Sequence, residues 1–214
     1  MKIKLLPPIS DGKYTLKGCQ VTFNPLPMDP ELNEVDRKKC IELIKLVESK
    51  PKLARKELAS AFRNNPYHPA VLNLQTFCEV QLKRVRKADC FITTNYEKNP
   101  HSVLAVLNYG DMLLRKRQMK KFEAIFKDKM DIGDLFLGHT LFYSEDARAF
   151  YALMGFYHIK MKNKALASLY YSNAYKLNST HLSVLHLERK LAKKVMWNNI
   201  KRFFAQKLKP VKTS

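Results

Sequence analysis

From residue 35 onward the apolar positions recur every three or four residues, the spacing of amphipathic helices. In VDRKKCIELIKLVES, Val35, Ile41, Leu43, Ile44, Leu46 and Val47 form a broad apolar face. In KPKLARKELASAFRNNP, Ala54, Leu58, Ala61 and Phe62 continue the pattern, and Pro66 closes the segment. Pro51 stands where a first helical turn needs no N–H donor. A shift of 34 residues restores the spacing, with Ala88, Ile92, Asn95, Tyr96 and Pro100 at the matching places. A further shift brings Phe122, Phe126 and Lys129 after YGDMLLRKRQMKK, without the closing proline. After an insertion of about eleven residues, DIGDLFLGHTL (131–141), a fourth copy carries Tyr151, Met154, Gly155, Ala167, Tyr171 and Ala174. A period near 34 built from two amphipathic helices is the signature of a stacked helical repeat, because one hairpin cannot bury its own apolar face.

Residues 1–30 break this pattern. Pro7, Pro8, Pro25, Pro27 and Pro30 exclude a long helix, and YTLKGCQVTF alternates weakly like a short strand pair. The expectation is an extended arm over 1–30, a repeat domain over 31–181, and a basic amphipathic segment over 182–214. In that last segment Leu182, Leu185, Leu191, Val195, Ile200 and Phe203 keep helical spacing, among nine Lys/Arg and one acid, Glu188. It reads as a helix capping the last repeat, or as a basic helix for an anionic membrane.

The repeats resemble the tetratricopeptide repeat family, whose first helix carries an aromatic, Leu-Gly and Tyr, and whose second carries Ala, an aromatic, Ala and Pro. The fourth copy fits best, through Tyr151, Met154-Gly155, Ala167, Tyr171 and Ala174. The third has Tyr109-Gly110, Leu113 and Phe126, with Phe122 where Ala is usual. The first two keep Ala54, Ala61 and Pro66, or Ala88 and Pro100. The resemblance spans about residues 35–181. It implies an all-α fold: a right-handed solenoid of about four helical hairpins, with an extended N-terminal arm and a C-terminal capping helix. Gly110, Gly155, Ala54, Ala88 and Ala167 would let helices approach closely, and Phe122 would hold one pair apart.

The resemblance also implies a concave groove lined by first helices, at Asn73, Phe77, Val80, Leu104, Leu107, Asn108, Asp111, Leu114, Phe156 and Ile159. A groove so apolar suits a peptide with apolar anchors, unless part of it is core or lies under the arm. Asn73, Asn108 and Arg115 make only a partial set of the residues with which some members grip a chain terminus.

Charge adds a second surface. Thirty-nine Lys and Arg against 19 Asp and Glu leave a net +20 on 214 residues. The turn from first to second helix is basic in each copy. The cations are Lys50, Lys52, Arg55 and Lys56, then Lys83, Arg84, Arg86 and Lys87. Arg115, Lys116, Arg117, Lys120 and Lys121 follow, and then Lys160, Lys162 and Lys164. Equivalent turns of stacked hairpins line one edge. These cations would form a ridge for an acidic protein or peptide, or for nucleic acid or anionic lipid. The bland alternative is a solvated set of turns, with cations favoured near helix C-termini.

Catalytic patterns are missing. His68, His101, His139, His158, His181 and His186 are scattered, and there is no HExxH, GxSxG or glycine-rich phosphate loop. Cys19, Cys40, Cys78 and Cys90 have no metal spacing, which points to a reducing compartment, the cytoplasm. No run reaches the roughly 18 apolar residues of a membrane span. The expected function is non-catalytic and needs no cofactor: an adaptor or chaperone that holds an acidic protein or peptide. The alternative is a binder of nucleic acid or anionic membrane.

Overall fold

A computed structural model describes residues 3–23 and 33–192. The chain is mostly helical and divides into two compact units, one of Met1–Leu5 with Cys19–Asp146, the other of Leu6–Gly18 with Ala147–Ser214. Among the described residues no helix is long and apolar enough to cross a membrane.

The first unit holds α1 (Glu34–Ser49), α2 (Pro51–Ala61), α3 (Pro69–Gln81), α4 (Val85–Lys98), α5 (Val103–Arg115), α6 (Met119–Phe126) and the short α7 (Ile132–Leu135). Helices α2, α4 and α6 begin 34 residues apart, as the periodicity predicts. The starts are chemically specified. The Asn33 side chain accepts from the Asp36 N–H, and Ser102 from the Ala105 N–H. Pro51 and Pro69 occupy first turns. Neighbours follow the chain: α1 packs on α2 and α3, α3 on α4 and α5, and α5 on α6. Cys40, Leu43, Leu58, Phe62, Val71 and Leu74 fill the first junction. Ala54 beside Val47 and Cys78 keeps a second junction tight. Phe122 and Phe126, both buried, stack with ring centres 4.4 Å apart.

An all-α fold does not hold. The arm contributes β1 (Ile3–Leu6), β2 (Ile9–Ser10), β3 (Thr15–Leu16) and β4 (Cys19–Thr22), and β5 (Leu141–Tyr143) begins at the last residue of the insertion. One sheet has the order β1-β4-β5, with β4 and β5 parallel and Val21 opposite Phe142. Both of those side chains are buried. The insertion is only partly regular: α7 buries Ile132, residues 136–140 lie outside helix and strand, and Leu141 opens β5.

The second unit holds the β2–β3 hairpin with α8 (Ser144–Lys160), all but its first turn, and α9 (Lys164–Leu177). A further helix, α10, runs over 182–192. In the hairpin Ile9 pairs with Leu16 and Ser10 with Thr15, and the Asp11 carboxylate accepts from the Lys13 and Tyr14 N–H groups. The core is aromatic: Phe150, Tyr151 and Tyr170 are fully buried. Gly155 serves a different junction from the one expected. A Cβ there would come within 2.6 Å of Leu187, so the missing side chain makes room for α10 rather than for α9. Helix α10 buries Val184 and Leu187, while Leu182 is 81% exposed. The Arg148 guanidinium donates to the Ser183 hydroxyl at 2.8 Å. The positions of Val195, Ile200, Phe203 and the rest of 193–214 lie outside the described residues.

Candidate binding edge

Three hairpin turns are built alike. After α3, Lys83 adopts a left-handed backbone (φ 58°); its N–H donates to the Val80 carbonyl, and the Arg84 N–H to the Glu79 carbonyl. After α5, Arg117 (φ 59°) donates to Leu114, and Gln118 to Leu113. After α8, in the second unit, Lys162 (φ 62°) donates to Ile159, and Asn163 to His158. This is the Schellman closure, in which two orphan carbonyls of a helix end are satisfied by the chain that turns away. Glycine normally holds the left-handed position, and a side chain there costs roughly 1–2 kcal/mol. Here each position is a cation. The α1–α2 turn differs: Lys50 has φ −138° and leads directly into Pro51. The four basic turns are thus one sharp corner and three left-handed ones.

The entries to the first helices also repeat. The His68 N–H donates to the Asn65 carbonyl, Ser102 to Asn99 and His181 to Asn178. The His68 and His181 rings each accept a backbone N–H through Nδ1. These histidines cap helices α3 and α10.

Within the first unit, buried acids tie neighbouring turns together. Glu79 on α3 receives Arg55 of α2 at 3.4 Å and has Arg84 at 3.9 Å. Asp89 on α4 receives Arg115 at 3.2 Å and Lys116 at 2.9 Å from the end of α5. Arg55 and Asp89 stand 34 residues apart, so equivalent positions carry opposite charges and each clasps the next hairpin. Arg115 also donates to Asp111 at 2.9 Å. The predicted ridge therefore separates into two classes. Arg55, Arg84, Arg115 and Lys116 are spent on structural pairs. Lys83, Arg86, Lys87, Arg117, Lys120 and Lys121 are exposed and make no ion pair among the described residues. In the second unit Lys160 and Lys162 are exposed, while Lys164 is half-buried. There Asn163 caps α9 through the Leu166 N–H and donates to the Tyr14 hydroxyl at 3.1 Å.

Within the first unit the predicted groove residues do not form one apolar surface. Leu107 and Leu114 are buried, because α5 is apolar around most of its circumference and those positions turn into the core. Asn73 and Asn108 are tied to each other: both Asn108 and Asn95 donate to the Asn73 side-chain oxygen, at 3.1 and 3.0 Å. Asn99 extends the chain through Asn95 at 2.8 Å. Phe77 and Leu104 are half-buried, and Val80 and Asp111 are exposed. Phe156 and Ile159 belong to the second unit, where Phe156 lies against the His186 ring.

His158 is half-buried and Cys40 and Cys78 are buried, while His101, His139, His186 and Cys90 are exposed. His158 stacks on Tyr170 with ring centres 5.3 Å apart, and burial pulls its pKa down to about 4. Burial pushes the Cys40 and Cys78 thiols up to about 11, away from nucleophilic thiolate character. Among the described residues no group of three His, Cys, Asp or Glu is placed to hold a metal ion.

Sequence reasoning missed Glu79 and Asp89 as organisers of the ridge. The available signal was the charge reversal between Arg55 and Asp89, one period apart. It also missed Val85, which the edge leaves 56% exposed. No family model, no curated protein and no solved structure matches this chain.

Proposed function

We propose that this chain is a non-catalytic binding scaffold, an adaptor or chaperone built from tetratricopeptide-like hairpins, which holds an acidic protein segment along its basic edge. What carries the reading is the division of the cations. Two successive turns are joined by the Asp89 clasp, and they still present Lys83, Arg86, Lys87, Arg117, Lys120 and Lys121 exposed and without an ion pair among the described residues. Like charges on turns so joined repel wherever they lie within the roughly 8 Å over which physiological salt leaves them unscreened. An acidic partner removes that repulsion and gains speed of encounter from the field. The recurrence of three closures of one kind supports the repeat architecture, and the order in which α1 to α6 pack supports a solenoid. The edge takes the role first given to the groove, since Leu107 and Leu114 are buried and Asn73 and Asn108 are occupied with each other.

The test is a comparison of two polyanions. Labelled poly-glutamate and a labelled duplex of about 20 base pairs are titrated with the protein from about 50 to about 300 mM salt. The reading expects poly-glutamate to be the tighter ligand near 150 mM. A tighter duplex, with a log–log salt slope of about −0.9 per phosphate contacted, would turn the edge into a nucleic-acid surface.

A further inference from the structure

Three turns share one closure, so their flanking residues can be compared position by position. Before the left-handed residue, Val80, Leu114 and Ile159 are equivalent; after it, Val85, Met119 and Lys164 are. Leu114 is 3% exposed, and Met119 and Ile159 are half-buried. Val80 and Val85 are 52% and 56% exposed. Only at the α3–α4 turn are both flanking positions apolar and bare. The same turn carries Lys83, Arg84, Arg86 and Lys87. Exposed valine among lysine and arginine gains nothing from a phosphate backbone, and residues 82–87 include no aromatic ring on which a base could stack.

We infer that the α3–α4 turn is a docking point for an acidic protein segment bearing one aliphatic side chain. That side chain covers Val80 and Val85 while its carboxylates meet Lys83, Arg86 and Lys87. The inference rests on the proposed function and narrows it, from any acidic segment to one with an apolar anchor, and from the whole edge to one turn. Charge complementarity brings the segment to the edge, and the anchor fixes its register on it. Cys90 lies on α4 four residues after Arg86, on the same face, and is exposed. Its thiol therefore sits at the margin of the contact and reports occupancy without an added label.

The experiment uses the full chain and two blocked peptides of glutamate and aspartate, one with a central leucine and one with serine in its place. Titration calorimetry gives the affinities, and the rate of Cys90 alkylation by iodoacetamide gives the location. The leucine peptide is expected to bind about tenfold more tightly than the serine peptide, from the apolar area it covers. It is also expected to slow Cys90 alkylation. In a Val80→Ser, Val85→Ser double variant, checked by an unchanged melting temperature, the two peptides become equal. Equal affinity for the native protein overturns the inference and leaves the basic edge standing, as does a leucine preference that survives the double variant. Displacement of both peptides by a duplex oligonucleotide overturns it in favour of phosphate recognition. Absence of binding by either peptide overturns the edge reading as well.

Discussion

Asp89 and Lys116, on successive hairpins, meet at 2.9 Å, and Arg115 approaches the other oxygen of the same carboxylate. One buried acid thereby holds the corner of the next hairpin in place. It also neutralises cations that would otherwise add to the repulsion along the edge.

Replacing Asp89 with Asn removes the charge but little volume. The expected cost is about 1–2 kcal/mol, at the modest end for a buried acid because its partners are partly in water. Urea denaturation measures it. A midpoint unchanged from the native protein would mean that the clasp does not hold the turns.

The left-handed cations give a prediction with two opposed parts. Lys83→Gly and Arg117→Gly should each stabilise the fold by about 0.5–1 kcal/mol, since glycine adopts that backbone without a steric penalty. The same changes should weaken binding of poly-glutamate, as each removes an unpaired cation. A thermal melt and an anisotropy titration on the same samples check both signs.

Gly155 predicts a local failure. In Gly155→Ala the new methyl meets Leu187, which is itself fully buried and has little room to move. The expected cost is about 1–3 kcal/mol, with the strain falling on α10. Limited proteolysis within 182–192 should accelerate relative to the rest of the chain.

His158 contributes to the loss of stability in acid. Its folded pKa is about 4, below the ordinary 6.5, because burial against Tyr157 and Tyr170 disfavours the imidazolium. Between those values the unfolded chain binds a proton that the folded chain does not. The contribution of His158 to stability is therefore full above pH 6.5 and declines as the pH falls towards 4, by on the order of 1 kcal/mol after allowing for solvent access. A His158→Phe variant should show a shallower decline between pH 6.5 and 4 in denaturant midpoints.

Much of the helical plan was legible from periodicity, because each helix places Leu, Ile, Ala or Phe at matching intervals and proline or asparagine marks the ends. The sheet was not. The strands of the β1-β4-β5 sheet span three or four residues, too few for alternation to stand out, and Val21 pairs with Phe142 far along the chain. The turns were half legible. Their charge could be read directly, but a lysine in a left-handed corner gives no sign of its backbone, as glycine would have done. Facing was the least legible, since in VLAVLNYGDMLLR nearly every side of the helix is apolar and nothing separates Leu107 and Leu114 in the core from a groove. The pairing of Arg115 and Lys116 with Asp89 was hidden for a similar reason: a list of cations does not say which are already matched.

The proposed function places an acidic partner on the unpaired cations of two adjoining turns. The most direct measurement is the affinity of labelled poly-glutamate for the native chain and for a Lys83→Glu, Arg86→Glu, Arg117→Glu, Lys120→Glu variant at about 150 mM salt, with circular dichroism to verify the fold. The account predicts a loss of at least about tenfold, since four attractive charges become repulsive. Equal affinity in a correctly folded variant would contradict it.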